Sequence, residues 1–396
     1  MDFRYTHQEE RFRDDVRQWL RDNLPAGWAT DVVEPTDEAE RAAFRLDWER
    51  KLYKGGWSGI SWPREYGGRG ASLIEQAIFL EELARAKAPE GLNIIGRNLT
   101  GPTLIAHGTE AQKKRFLPRI LAAEDVWCQG FSEPGAGSDL ASLRCRAVLD
   151  GGHFIVNGQK IWTSFAQHAD WGILLVRTDP DAAKHKGISF LLVDLRTPGI
   201  TIRPLVQITG DREFSEVFYD EVRVPAENLV GPLNDGWRIA MTTLTYERGP
   251  EEALARQVRF RQDLDEMLDL ARRTTRGGRR LADDPVIRQK LASTYIEVEL
   301  MRLNCLRSFS RMLQGHALGP EASFTKLYWS HMWQRMSERA LELEGPLAPL
   351  MAGDSYVAAR GTFQSQFLMS RAATIYSGSS EIQRNIIAER VLGLPK

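Results

Sequence analysis

Residues 129–140 read Gln129-Gly130-Phe131-Ser132-Glu133-Pro134-Gly135-Ala136-Gly137-Ser138-Asp139-Leu140, and the pattern of the chain changes around this loop. Upstream, from 7 to 122, apolar residues recur three and four apart. Phe12, Val16, Trp19 and Leu20 do so, as do Ile74, Ala77, Ile78, Leu80 and Leu83, which is the period of amphipathic helices. Turn chemistry is expected to break these helices at Leu24-Pro25-Ala26-Gly27, from Trp62-Pro63 to Gly70, and at Gly101-Pro102. Downstream, as far as 235, the pattern is of short β runs. Arg146–Leu149 and His153–Val156 flank Asp150-Gly151-Gly152 as a hairpin, and Asn157-Gly158 reads as a further turn. Trp171–Arg177, Ile188–Leu195, Ile200–Val206 and Phe214–Val224 follow, each bounded by Gly, Pro or Asp. From 236 the chain is helical again, with length for four or five helices. The expected architecture is α+β and multidomain: an N-terminal helical domain (1–122), a middle β-barrel or sandwich domain (123–235) and a C-terminal antiparallel helical bundle (236–396).

Composition removes several classes of function. Of 396 residues, 52 are Lys or Arg and 53 Asp or Glu, so a formal net charge of -1 gives no general field for nucleic acid or an anionic membrane. No apolar run approaches the roughly 18 residues of a membrane span. The charged start lacks a signal peptide's apolar stretch, and cytoplasmic localisation is expected. Three cysteines without CxxC spacing (Cys128, Cys145, Cys305) read as small buried apolar residues in a reducing compartment. GxGxxG after a strand, GxxxxGK[ST], HExxH and GxSxG are all missing, and the seven histidines show no ligand spacing, so no metal site is expected.

The 129–140 loop carries Pro134, Gly135 and Gly137, whose bare backbone suits an anion or an electron-rich ring edge, with Ser132 and Ser138 as hydroxyl donors. About twenty residues on, Asn157-Gly158-Gln159-Lys160-Ile161-Trp162-Thr163-Ser164 ends in an aromatic and two hydroxyls. Taken alone, Trp162 reads as well as a core residue as a stacking one. Together the two segments resemble the flavin-binding signature of the acyl-CoA dehydrogenase family. The resemblance extends along nearly the whole chain. It includes Pro63-Arg64-Glu65-Tyr66-Gly67-Gly68-Arg69-Gly70, His107-Gly108-Thr109-Glu110 with Leu117-Pro118, Tyr376-Ser377-Gly378-Ser379-Ser380-Glu381-Ile382-Gln383-Arg384, and Leu392-Gly393-Leu394-Pro395.

The resemblance implies FAD between the β domain and the C-terminal bundle. Backbone at Gln129, Phe131 and Ser132 would meet the flavin ring, and Ser138 would reach the pyrophosphate. Trp162 would cover the isoalloxazine, with Ser164 near N5 and Ser377 and Ser379 in the final cofactor loop. It further implies removal of an α proton from an acyl-CoA substrate, hydride transfer to the flavin, and an electron-transfer flavoprotein as acceptor. Family members draw the base from a Tyr-Glu-Gly loop or from a Glu-Arg on a bundle helix. Here the first position is Ser377 and the second is Tyr246-Glu247-Arg248, so Glu247 is the expected base and Arg248 its neighbour in the catalytic region. Glu381 lies four residues past Ser377, about one helical turn away, and is a poor substitute.

Two departures bear on assembly. The family's Arg-x-x-Phe, lent to a neighbouring subunit's FAD, stands here as Arg273-Thr274-Thr275-Arg276, with Gln289 at the later amide position. The expected Gly-Gly-x-Gly stands as Glu344-Gly345-Pro346. The chain thus resembles the base-bearing subunit of bacterial heteromeric α2β2 dehydrogenases, several of which act on steroid side-chain CoA thioesters; a homotetramer is the alternative. The arginine-rich stretch 272–280 reads either as a solvated loop or as a phosphate contact. The rival functions are a same-fold flavin oxidase or monooxygenase, and a non-catalytic partner subunit.

Overall fold

The computed structural model describes residues 5–246, 250–316, 319–320 and 322–395, with backbone alone at 250 and 251. Two compact units emerge: Met1–Gln76 with Ala88–Gly249, and Ala77–Lys87 with Pro250–Lys396.

The first unit opens with α1 (His7–Asn23) and α2 (Glu38–Lys54). Helix α1 is started by a capping box in which Thr6 and Glu9 satisfy each other's backbone amides. After Trp62–Gly70 comes α3 (Leu73–Arg85), most of which belongs to the second unit. Helices α4 (Gly101–His107) and α5 (Glu110–Leu121) complete the N-terminal set. Gly101-Pro102 does not break the chain. A π turn over Gly96–Thr100 runs directly into α4, and Thr100 and Gly101 both keep helical dihedrals. Gly101 is there for packing, since a Cβ would stand 1.8 Å from the Trp62 indole.

Eight strands form the sheet: β1 (Trp127–Gly130), β2 (Arg146–Asp150), β3 (His153–Ser164), β4 (Trp171–Arg177), β5 (Ile188–Asp194), β6 (Ile200–Leu205), β7 (Phe214–Pro225) and β8 (Leu229–Val230). Their order is β6-β7-β3-β2-β4-β5-β8, with β1 added in parallel to β4. The β2–β3 hairpin turns through Gly151 and Gly152, both at positive φ. Strands β4 and β5 are apolar on both faces because each face has its own cover. Ile173, Leu175, Phe190 and Leu192 join Leu104, Phe116, Leu117 and Ile120 from the helices. The alternate residues Leu174, Val176, Leu191 and Val193 join Val217, Tyr219 and Val222.

Asn157-Gly158 is not a turn: β3 runs through it with a register shift against β7. Gly158 takes φ +151°, and any Cβ would meet Cys145 at 2.7 Å, so close approach of β3 to that residue selects glycine. Asn157 is held across the ladder by Glu221, donating to its carboxylate (2.7 Å) and accepting its amide (3.0 Å). All three cysteines are buried and unpaired; burial pushes the Cys128 and Cys305 thiols up to about 12 and that of Cys145 to about 11. The last described element of the unit is α6 (Gly236–Tyr246).

The second unit is a helical bundle of α7 (Pro250–Arg273), α8 (Pro285–Leu313), α9 (Ala322–Glu344), α10 (Thr362–Ala373) and the short α11 (Ser380–Ile386). Successive long helices pack as neighbours, and Glu297 of α8 accepts from Arg335 (3.1 Å) and Arg339 (3.2 Å) of α9. The α3 segment contributes Leu80 and Ala84 against Ala255 and Val258 of α7. Among the described residues, no helix is long and apolar enough to cross a membrane.

Candidate active site

In the first unit the two signature segments are brought together by backbone pairing. The Ile161 amide donates to the Ser132 carbonyl at 3.0 Å, joining the loop after β1 to the end of β3. Within the loop, Glu133 and Ala136 exchange two backbone hydrogen bonds at 3.0 Å, a tight turn around Pro134 and Gly135. A Cβ at Gly135 or Gly137 would meet no atom within 4 Å, so the loop presents bare backbone to open space. Gln129 lies on β1 opposite Ile173. Phe131 buries its ring edge-on against Phe190. Ser132 is half-buried and Ser138 exposed.

Strand β3 carries a second register shift between Lys160 and Thr163, an extra residue relative to β7. This bulge sets Trp162 at φ +59° and leaves it 57% exposed, touching Phe214 edge-on. A left-handed dihedral costs a bulky residue about 1–3 kcal/mol. An exposed indole held at that cost is not a core residue; it is displayed. Ser164, half-buried, ends the strand opposite Phe214. Among the described residues the hydroxyls of Ser132, Ser138 and Ser164 have no protein partner, which suits a ligand that accepts hydrogen bonds. A flat aromatic face, hydroxyls without a protein partner and bare glycine backbone are groups that can meet a planar ring and a phosphate chain.

Sequence reasoning missed what braces this loop. Lys160 is wholly buried and donates to the Glu133 carboxylate (2.8 Å) and the Phe131 carbonyl (3.0 Å). Glu133 also accepts the amides of Arg144 (2.7 Å) and Cys145 (2.9 Å). Helix α6 is anchored just as locally. Thr243 meets Thr103 of α4 at 2.9 Å with both buried, Thr242 meets His107 at 3.0 Å, and Gly236 packs where a Cβ would strike Ser189. No local pattern announces these pairs, because their members are far apart in the chain.

Glu247 and Arg248 lie outside the described residues; α6 is described as far as Tyr246. In the second unit, Ser377 takes φ +52° in the loop before α11, and Gln383 donates to the carbonyls of Ser377 (3.2 Å) and Gly378 (3.3 Å). Ser379 caps α11 through the Ile382 amide. Glu381 is exposed, and its own amide and the Ser379 hydroxyl hold its carboxyl below the usual range, the opposite of what a base needs. Arg273 pairs with Glu266 at 3.0 Å. Arg276 sits in a two-residue hairpin turned by Gly277 and Gly278, and donates to the Leu343 carbonyl at the end of α9 (3.0 Å). Gln289 is exposed on α8. Among the described residues, no three His, Cys, Asp or Glu side chains converge as metal ligands would.

The acyl-CoA dehydrogenase N-terminal, middle and C-terminal domains match residues 6–124, 128–222 and 234–392. The chain belongs to the acyl-CoA dehydrogenase family. Acyl-CoA dehydrogenase IpdE1 of Mycobacterium tuberculosis is 44% identical over 98% of both chains. Among solved structures, the Tcur3481-Tcur3483 steroid ACAD superposes with a TM-score of 0.87 at 32% identity, covering 100% of both chains. The ChsE4-ChsE5 complex from Mycobacterium tuberculosis does so at 0.85 and 33%, again over 100% of both. As an acyl-CoA dehydrogenase the protein is an oxidoreductase acting on acyl-CoA, and its family is one of flavoproteins.

Proposed function

We propose that this acyl-CoA dehydrogenase uses FAD to introduce an α,β double bond into a bulky acyl-CoA of steroid type, as the base-bearing subunit of a heteromer. The observation that carries the cofactor reading is the displayed Trp162 on the β3 bulge beside the open loop 132–138. Backbone at Gln129, Phe131 and Ser132 would hold the ring, Trp162 would cover one face, Ser164 would donate at its edge, and Ser138 would take the phosphates. When bound, FAD accepts the hydride lost from the substrate's β carbon, and an electron-transfer flavoprotein accepts the electrons in turn.

The chain's own tasks are to take the α proton and to steady the thioester. Glu247 is assigned the proton, since the alternative position holds Ser377, and a carboxylate desolvated by an acyl chain gains proton affinity. The Ser377 backbone amide is assigned to the thioester carbonyl, a task that asks nothing of the side chain. The steroid class is supported by the full-length similarity to a steroid dehydrogenase. Assembly with a second family member is supported by the eroded Arg-x-x-Phe, which keeps Arg273 but puts Arg276 at the aromatic position, where it donates to the Leu343 carbonyl of its own bundle. It is supported too by an apolar stripe on α8, where Tyr295, Ile296, Leu300 and Leu303 are exposed.

The test is Glu247→Gln in the natively purified enzyme, with a panel of short, long, branched and steroidal acyl-CoAs. The variant should bind flavin and substrate yet lose flavin bleaching by roughly 10²–10⁴-fold. Bleaching at the wild-type rate would place the base elsewhere.

A further inference from the structure

The reaction assigns Lys160 no task, yet its ammonium is wholly buried behind the flavin-ring loop. Burying a charge pair gains little over an apolar pair of the same shape, so packing alone does not account for it. Its bond to the Phe131 carbonyl at 3.0 Å has a specific electronic result. That carbonyl and the Ser132 N–H belong to one planar, conjugated peptide group. A charged donor on the oxygen draws electron density from the nitrogen and makes the N–H a stronger donor. Among the described residues, the Ser132 amide has no protein acceptor. The peptide is also fixed in place: the Ser132 carbonyl holds the Ile161 amide, and Glu133 holds Lys160, Arg144 and Cys145.

We propose that Lys160 is a positioning residue that tunes the cofactor, its ammonium polarising the 131–132 peptide so that the Ser132 amide binds reduced flavin more tightly than oxidised flavin. Reduction adds electron density to the ring, so a strengthened donor favours the reduced form and raises the midpoint potential. Glu133 sets the size of the effect, since its carboxylate offsets part of the lysine's charge. The inference rests on the reading that this loop faces the flavin.

The test is a dye-equilibrated reductive titration of natively purified holoenzyme: wild type, Lys160→Met, Glu133→Gln and the double variant. Lys160→Met should lower the ratio of reduced to oxidised affinity roughly tenfold, a midpoint about 30 mV more negative. Glu133→Gln should move the midpoint in the opposite direction. Loss of bracing alone predicts shifts of the same sign, because either single change breaks the same contact and loosens the same loop. Should Lys160→Met fail to fold, the double variant decides, being shape-conserving and uncharged: its midpoint should lie below that of Glu133→Gln. Equal midpoints for those two, or single-variant shifts of one sign, would overturn the proposal. Wild-type protein that neither carries nor takes up FAD would instead overturn the cofactor reading beneath it.

Discussion

Glu344 closes α9 with its side chain almost entirely enclosed, 6% exposed. It accepts a hydrogen bond from the Gln364 amide, while its other oxygen and the Gln364 carbonyl oxygen have no partner among the described residues. Burial pushes the Glu344 carboxyl up to about 7, from an ordinary value near 4.5. The folded protein therefore holds a proton there that the unfolded chain has released, and stability must fall as pH rises between those values. The slope is about 1.4 kcal/mol per pH unit, so the full penalty above pH 7 is on the order of 3 kcal/mol. Replacing Glu344 by Gln removes the charge and supplies a donor to the orphaned Gln364 oxygen. Denaturation midpoints for both proteins, taken from pH 5 to pH 8, should diverge. The variant should be the more stable by about 2–3 kcal/mol at pH 8, and nearly all of that gap should open between pH 5 and 7. A gap independent of pH, or a variant less stable at pH 8, would refute the assignment of a buried, proton-hungry carboxyl.

Trp162→Ala should change the thermal stability of the flavin-free protein little, since the indole is exposed, yet empty the enzyme of flavin or alter its visible spectrum. Unchanged occupancy and spectrum would remove Trp162 from the site. Gly101→Ala drives a methyl into the Trp62 indole and should cost about 1–3 kcal/mol in denaturant titrations. Ile296→Lys with Leu300→Lys should reduce the native mass and the flavin-to-chain ratio of the assembly together, as read by native mass spectrometry and absorbance. A wild-type homotetramer with one FAD per chain would overturn the heteromer while leaving the dehydrogenase untouched.

Six strands could be read from the sequence because each is a short alternating or continuously apolar run bounded by turn residues. Trp171–Arg177 and Phe214–Pro225 begin where their apolar runs begin. β1 was not visible: four residues ending in Gln129-Gly130 look like the start of a loop, and only pairing with β4 makes them a strand. Both misread turns have one cause. Gly158 and Gly101 signal a break when only neighbours in sequence are considered, whereas each is glycine because a distant residue, Cys145 or Trp62, needs the room. The same limit hid Lys160. It lies next but one to the displayed Trp162, and nothing local distinguishes a buried lysine from a solvated one. Among the conspicuous arginines of 272–280, Arg272, Arg273 and Arg280 each pair with an acid close in sequence.

Helix α3 imposes an order on biogenesis. The chain enters the second unit at Ala77, leaves it after Lys87 and returns at Pro250, so Ala84 waits for Ala255. That partner emerges roughly 170 residues later, which at about 5–20 residues per second is on the order of ten to thirty seconds of synthesis. Throughout that interval Leu80 and Ala84 lack the helix they pack against, and Arg85 lacks Gln262, whose side chain will bond its carbonyl at 2.9 Å. A ribosome stalled inside the β strands would leave this face bare and open to a chaperone. For the same reason a gene fragment beginning at Pro250 would encode a bundle missing one of its own walls.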